Sequence, residues 1–142
     1  MNNLHSIVYT SSAARDLNRE DLAHLLQRST ERNFEEGITG ILVFCEGKFI
    51  QYIEGPVAPL FCLYSRICTD TRHHDIIQLV NEPIFERFFL EWSMGYSNIQ
   101  LMDFTRLIAS TWGTVDNPHV KHNGVEGVKL LHNVWQQLKH AG

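Results

Sequence analysis

The stretch from Gly37 to Gly55, GITGILVFCEGKFIQYIEG, constrains the fold of this chain more than any other. It reads as two strands joined by a tight turn. Ile38 to Phe44 is apolar on both alternating faces apart from Thr39 and Gly40, the pattern of a central strand covered on both sides. Cys45, Glu46, Gly47 and Lys48 make the turn, with Gly47 free to take a positive φ. In the second strand, alternation places Phe49, Gln51 and Ile53 on one face and Ile50, Tyr52 and Glu54 on the other. Gln51 is then an amide between apolar neighbours, and leaving it unpaired inside would cost about 1 to 3 kcal/mol. Two partners are open to it: neighbouring backbone, or a bound polar ligand.

A length of 142 residues suits one domain, large enough to bury roughly two thirds of its unfolded surface without staples. The net charge is −4 and the basic residues are scattered, which sets nucleic acid aside as a partner. The opening MNNLHSIVYT has no basic segment followed by a long apolar run, and no stretch of the chain reads as membrane-spanning. The expected location is cytoplasmic, with no membrane partner. Cys45, Cys62 and Cys68 are odd in number and lack CxxC spacing, so free thiols are expected rather than a disulfide framework or zinc site. The eight histidines fall at no recognised ligand spacing, and no metal site is expected.

Along the chain, His5 to Thr10 reads as a strand with Ile7 and Tyr9 on one face, ended by Ser11 and Ser12. Asn18 suits an N-cap, and the helix after it carries Leu22, Leu25, Leu26, Ser29 and Asn33 on one stripe. Asn33 is either the helix C-cap, the commoner use, or a second inward amide. After the hairpin, Gly55 and Pro56 break the strand, and Leu60, Leu63, Tyr64 and Ile67 mark a second amphipathic helix. Arg66 and Asp70 are spaced i, i+4 and by default form an exposed ion pair; otherwise they reach a ligand held between the helices. Arg72, His73 and His74 read as cations at the helix C-terminus.

Ile76 to Val80 reads as a fourth strand and Phe88 to Ser97 as a fifth, carrying Trp92 and Met94 as core-type residues. Phe104 to Trp112 and Val125 to Leu138 are helical in pattern. The order β, α, β, β, α, β with right-handed crossovers predicts an α+β, ferredoxin-like βαββαβ sandwich, with a fifth strand and two C-terminal helices. The boundaries expected are 1–98 for the domain and 99–142 for a helical extension covering the sheet or a partner. A flat ligand between the first two helices would meet Tyr9, Asn33 and Gln51.

Several motifs at matching spacing then resemble one family over about Leu4 to Ile99. They are YTS at Tyr9 to Ser11, RN at Arg32 and Asn33, GITGIL at Gly37 to Leu42, FIQYIEG at Phe49 to Gly55, DTRH at Asp70 to His73, and WSMGY at Trp92 to Tyr96. The chain resembles the BLUF domains, blue-light sensors that use flavin. The resemblance implies a flavin between the first two helices, usually FAD, with FMN or riboflavin as alternatives. It implies that Tyr9 is the photochemical electron and proton donor and that Gln51 relays the proton and changes its hydrogen bonds. Ser11, Trp92 and Met94 join them, the last two reporting the switch to the surface. Leu25, Arg32, Asn33, Gln51, Arg66, Ile67, Asp70, Arg72 and His73 are the implied flavin contacts, although some family members carry histidine or asparagine where this chain has Arg32.

The function expected is a non-enzymatic photoreceptor that signals to a separate protein of unknown identity. A homo-oligomer formed through the terminal amphipathic helices is also expected. Two other classes stay in view: a small flavin-dependent redox enzyme, and a ligand-binding regulatory module without photochemistry.

Overall fold

A computed structural model of the chain describes residues 3–14, 19–87, 89 and 95–98. Its elements are β1 (Leu4–Ala13), α1 (Arg19–Glu36), β2 (Thr39–Cys45), β3 (Lys48–Pro56), α2 (Val57–Thr69), β4 (His73–Pro83) and β5 (Gly95–Asn98). The sheet order is β4-β1-β3-β2-β5. The first four strands pair antiparallel, which is the ferredoxin-like arrangement predicted for βαββαβ. β5 adds to the β2 edge in parallel, with Ile41 opposite Gly95 and Leu42 opposite Tyr96. Of the predicted fifth strand, Trp92 and Met94 lie outside the described residues, as do Asn18 and the two C-terminal helices.

The central hairpin forms where the sequence places it. Glu46 and Gly47 turn it with φ of 46° and 80°, the doubly positive geometry of a type I′ turn; glycine signalled the second of these positions and not the first. β1 runs three residues past Thr10, because Ser11 and Ser12 pair with Phe49 and Lys48 on β3. A serine pair ends a strand only where no neighbour takes up its backbone groups.

β4 likewise starts earlier than Ile76, His73 and His74 pairing with Ala13 and Ser12. Its register slips twice against β1, between Val8 and Tyr9 and between Thr10 and Ser12, and Asp75 within it has φ 56°. Each slip gives β4 one extra residue, and such bulges twist an edge strand away from unwanted pairing.

Two glycines are required by geometry. Gly37 has φ 72° just past α1. There the Ile38 N–H donates to the Asn33 carbonyl at 2.8 Å and the Gly37 N–H to that of Phe34 at 3.4 Å, the paired bonds of a Schellman ending. Gly40 lies so close to β3 that a Cβ on it would overlap the Tyr52 carbonyl oxygen.

One core, formed by Ile7, Ile38, Leu42, Phe49, Ile53, Leu60 and Leu63, lies between the sheet and the two helices, with Leu22, Leu26, Tyr64 and Ile67 packed against it. Burying each such aliphatic side chain contributes about 1.5 to 3 kcal/mol. On the opposite face Val8, Ile41, Val43 and Ile50 are fully buried as well, so both faces of the sheet are covered. The hairpin's apolarity on both faces had required this. Among the described residues no helix is long and apolar enough to cross a membrane.

Candidate functional site

Tyr9 and Gln51 are cross-strand partners on β1 and β3, both facing the helices. Strand pairing alone therefore brings together two polar side chains 42 residues apart in sequence. The Tyr9 hydroxyl donates a hydrogen bond to Gln51 Oε1. Tyr9 is 4% and Gln51 7% exposed, so this bond is shielded from water. The buried amide oxygen is met by the Tyr9 side chain.

The two residues form the floor of a cleft between α1 and α2. Leu25, Leu26, Ser29 and Asn33 line it from α1, Leu63 and Ile67 from α2, and Leu42 and Phe49 from the sheet. Asp70, Arg72 and His73 complete its wall beyond α2. The cleft encloses about 600 Å³ of empty space, the solvent at its mouth included. The C-cap use of Asn33 does not hold. α1 continues three residues past it to Glu36 and ends through Gly37 with two backbone bonds, and the Asn33 side chain is buried at 1% exposure.

Around the phenol, the Tyr64 ring stands at 5.8 Å and the His73 ring edge-on at 6.0 Å. Burial, helped by Tyr64, Cys68 and Asp70, pushes the Tyr9 phenol far above its ordinary 10.0, so it holds its proton throughout the physiological range. His73 Nε2 faces the Ile67 carbonyl at 2.7 Å and Nδ1 faces Ser11 Oγ at 2.8 Å. A carbonyl can only accept, so Nε2 carries a hydrogen and donates to Ile67, while Nδ1 pairs with the Ser11 hydroxyl. Ser11 thus orients His73 beside Tyr9.

The predicted Arg66–Asp70 ion pair is not formed. α2 stops at Thr69, and Asp70 caps it with φ −73° and ψ 125°, which turns its carboxylate away from the helix. It accepts the Arg72 backbone N–H at 2.9 Å and the guanidinium Nε and Nη2, the shortest contact being 2.5 Å. These Arg72 bonds hold the Asp70 carboxyl below its ordinary 3.8. Arg66 reaches Glu36 of α1 at 3.6 Å instead. The cations expected at the helix end are displaced for the same reason: Arg72 belongs to the turn, and His73 and His74 belong to β4.

Of the site residues read from the sequence, the fold gathers Tyr9, Leu25, Asn33, Gln51, Ile67, Asp70, Arg72 and His73 around the cleft, with Ser11 behind His73. Arg32 is exposed on α1, and neither it nor Arg66 lines the cleft. Leu26, Ser29, Leu42, Phe49 and Leu63 line it without having been singled out. The α1 stripe already held the first two, and a stripe does not say which of its members face a cleft and which face the core.

The donor set suits a flavin ring. Such a ring is flat and apolar on its faces, and its polar atoms lie along one edge. Aliphatic walls at Leu25, Leu63 and Ile67 with an amide and phenol floor match that distribution.

A sequence model of BLUF domains, described as sensors of blue light using FAD, matches residues 4–95. Photoactivated adenylate cyclase subunit beta of Euglena gracilis is 37% identical over 100 residues, covering 70% of this chain and 12% of that protein. The blue light- and temperature-regulated antirepressor BluF of Escherichia coli is 31% identical over 100 residues, again 70% of this chain but 24% of the relative. The chain thus spans a small part of the length of these relatives. Among solved structures, the dark state of BlrB, a BLUF protein, superposes with a TM-score of 0.75 at 28% identity, covering 94% of this chain and 98% of that one. Klebsiella pneumoniae BlrP1 with FMN and cyclic diGMP gives 0.65 at 34% identity, over 69% of this chain and 26% of that one.

Proposed function

The chain belongs to the BLUF family, sensors of blue light using FAD, and on that premise we propose that Tyr9 and Gln51 are the switch through which this sensor responds. The observation that carries the proposal is the buried hydrogen bond from the Tyr9 hydroxyl to Gln51 Oε1 on the floor of the cleft. Leu25, Leu63 and Ile67 would hold the ring faces, Asn33 and Gln51 its polar edge, and Arg72 and His73 the tail near the mouth. A bound flavin absorbs blue light and in its excited state accepts an electron.

Tyr9 keeps its proton on Oη while it is neutral, since burial disfavours the phenolate. Once the phenol has given up an electron it becomes a strong acid, and the existing hydrogen bond leads the proton to Gln51 Oε1. The amide carries a donor and an acceptor on one plane, so it would take that proton on Oε1 while giving up one from Nε2 toward the group that accepted the electron, and rotation or tautomerisation would exchange the two roles without leaving a buried charge. Two hydrogen-bond patterns of similar energy make a bistable element, and light shifts the population between them. Closure of the floor against water preserves the difference between the two.

We read the domain as 1–98 with a helical extension at 99–142, and its output as a surface change read by another protein, without catalytic turnover. Trp92 and Met94 would carry the change outward, and the terminal amphipathic helices would support a homo-oligomer. The deciding measurement is the visible spectrum of the flavin-loaded protein before and after blue illumination. A small red shift of the flavin bands that reverses in darkness is expected. Irreversible bleaching, or steady oxidation of NAD(P)H, would replace this reading with redox enzymology, and failure to take up any flavin would leave a ligand-binding module.

A further inference from the structure

On the sheet face away from the cleft lies a buried carboxylate that the proposed photochemistry does not use. Glu54 is 0% exposed. Its Oε2 accepts the Thr39 hydroxyl at 2.9 Å and the Phe89 backbone N–H at 2.6 Å, and its Oε1 accepts the Tyr52 hydroxyl at 3.1 Å. Each of these three groups donates to the carboxylate, which suits its ionised, acceptor-only form. Arg87 completes the cluster from the same connecting segment. Its Nη1 donates to Thr39 Oγ1 at 3.1 Å and its Nη2 to the Gly37 carbonyl at 2.6 Å. The Phe89 ring packs on Tyr52 with centroids 5.1 Å apart.

Residues 87 and 89 come after β4 in the chain and before β5. They are therefore sewn to β2 and β3 by charge-assisted hydrogen bonds at the same place where Thr39 pairs with Glu54. Further along the same strands Gln51 lies opposite Leu42, and Leu42 opposite Tyr96 of β5. The switch residue and the carboxylate share one strand, three residues apart, with Gln51 facing the cleft and Tyr52 and Glu54 facing away. A displacement of β3 at Gln51 consequently reaches both ends of the route into β5.

We propose that Glu54 is a positioning residue that clasps the connector at Phe89 to β3, and thereby couples the state of Gln51 to the placement of β5. The inference rests on the sensor reading for its light arm and on the hydrogen bonds alone for its dark arm. Hydrogen bonds to a charged acceptor are roughly twice as strong as neutral ones, so the clasp holds its segment against local opening.

The test is amide hydrogen exchange of the full chain loaded with FAD, read at Phe89 and at β3, in darkness and under blue light, for wild type and for Glu54→Gln. The substitution keeps shape and places an amide group where three donors converge. In darkness the Phe89 amide should exchange about tenfold faster in the variant, because loss of a charge-assisted bond lowers the free energy of opening. In wild type, light should change exchange at Phe89; in the variant the absorption shift should persist while that change disappears. Unaltered dark exchange at Phe89 in Glu54→Gln, or an identical light response in both proteins, would overturn the clasp. Thr39→Val, which removes the hydroxyl between Arg87 and Glu54, provides the same comparison if Glu54→Gln fails to fold. A wild type without any absorption shift would sink the sensor reading, and the dark comparison would still decide the clasp.

Discussion

Tyr9 and Gln51 owe their chemistry to two things that act on single side chains: burial, and a partner directly across the ladder. Tyr9→Phe keeps the ring between Tyr64 and His73 and removes only the hydroxyl, while Gln51→Leu removes the acceptor. Each variant should bind FAD and lose the reversible red shift; a normal light-minus-dark spectrum in either would refute the assigned role. Burial also links these phenols to stability. Tyr9 and Tyr52 both lie above the ordinary 10.0, chiefly through desolvation, with the Glu54 charge adding to it at Tyr52. Above pH 10 the unfolded chain releases phenol protons that the folded chain retains, so the native state binds more protons and its stability falls as pH rises. Urea midpoints measured at about pH 8 and about pH 11 should drop more steeply in wild type than in Tyr9→Phe. Equal drops would mean that the Tyr9 phenol is not held neutral by the fold.

At the level of elements, one close backbone approach and one left-handed glycine place the cleft. β2 lies against β3 only because Gly40 leaves room for the Tyr52 carbonyl, so Gly40→Ala should cost about 1 to 3 kcal/mol through forced separation of the strands. Gly37→Ala puts a side chain at φ 72°, a strain of roughly 1 to 2 kcal/mol. Chemical denaturation should find both variants destabilised, and a neutral Gly37→Ala would contradict the Schellman ending of α1. That ending decides the fate of Asn33: because glycine and backbone bonds finish the helix, the amide is released toward the cleft. Helix periodicity placed Asn33 on the inward stripe, and local sequence was silent on whether its amide would cap or point inward. The limits of β1 and β4 were misjudged for a related reason. Ser11, Ser12, His73 and His74 are strand residues by virtue of their partners, and partners distant in sequence leave no mark on local composition.

For the whole molecule, the cleft lies where two crossover helices lie side by side on one sheet face, and neither helix could form it alone. A flavin held there binds the folded chain and not the unfolded one, so free FAD at about a hundredfold excess over its dissociation constant should add about 2.7 kcal/mol. Thermal unfolding with and without added FAD measures this directly. A midpoint indifferent to FAD would show that the cleft is not the binding site. Leu63 and Ile67 on α2 face Leu25 and Asn33 on α1 across the space, and an arrangement of that kind requires a completed tertiary fold.

The two-sided apolarity of Ile38 to Phe44, the glycine turn, the odd amide at Gln51 and the helical stripes were all legible in the sequence, since each depends on a repeat of two or 3.6 residues within one segment. Motif spacing carried the family, and with it the pairing of Tyr9 with Gln51. What the tertiary structure alone decided was which polar groups meet: Asp70 with Arg72 rather than Arg66, Arg66 with Glu36, His73 with Ser11 and Ile67, and Glu54 with Phe89. Side-chain reach is a few ångströms, and the distances between residues remote in sequence are set only when the strands have taken their register and the helices have ended.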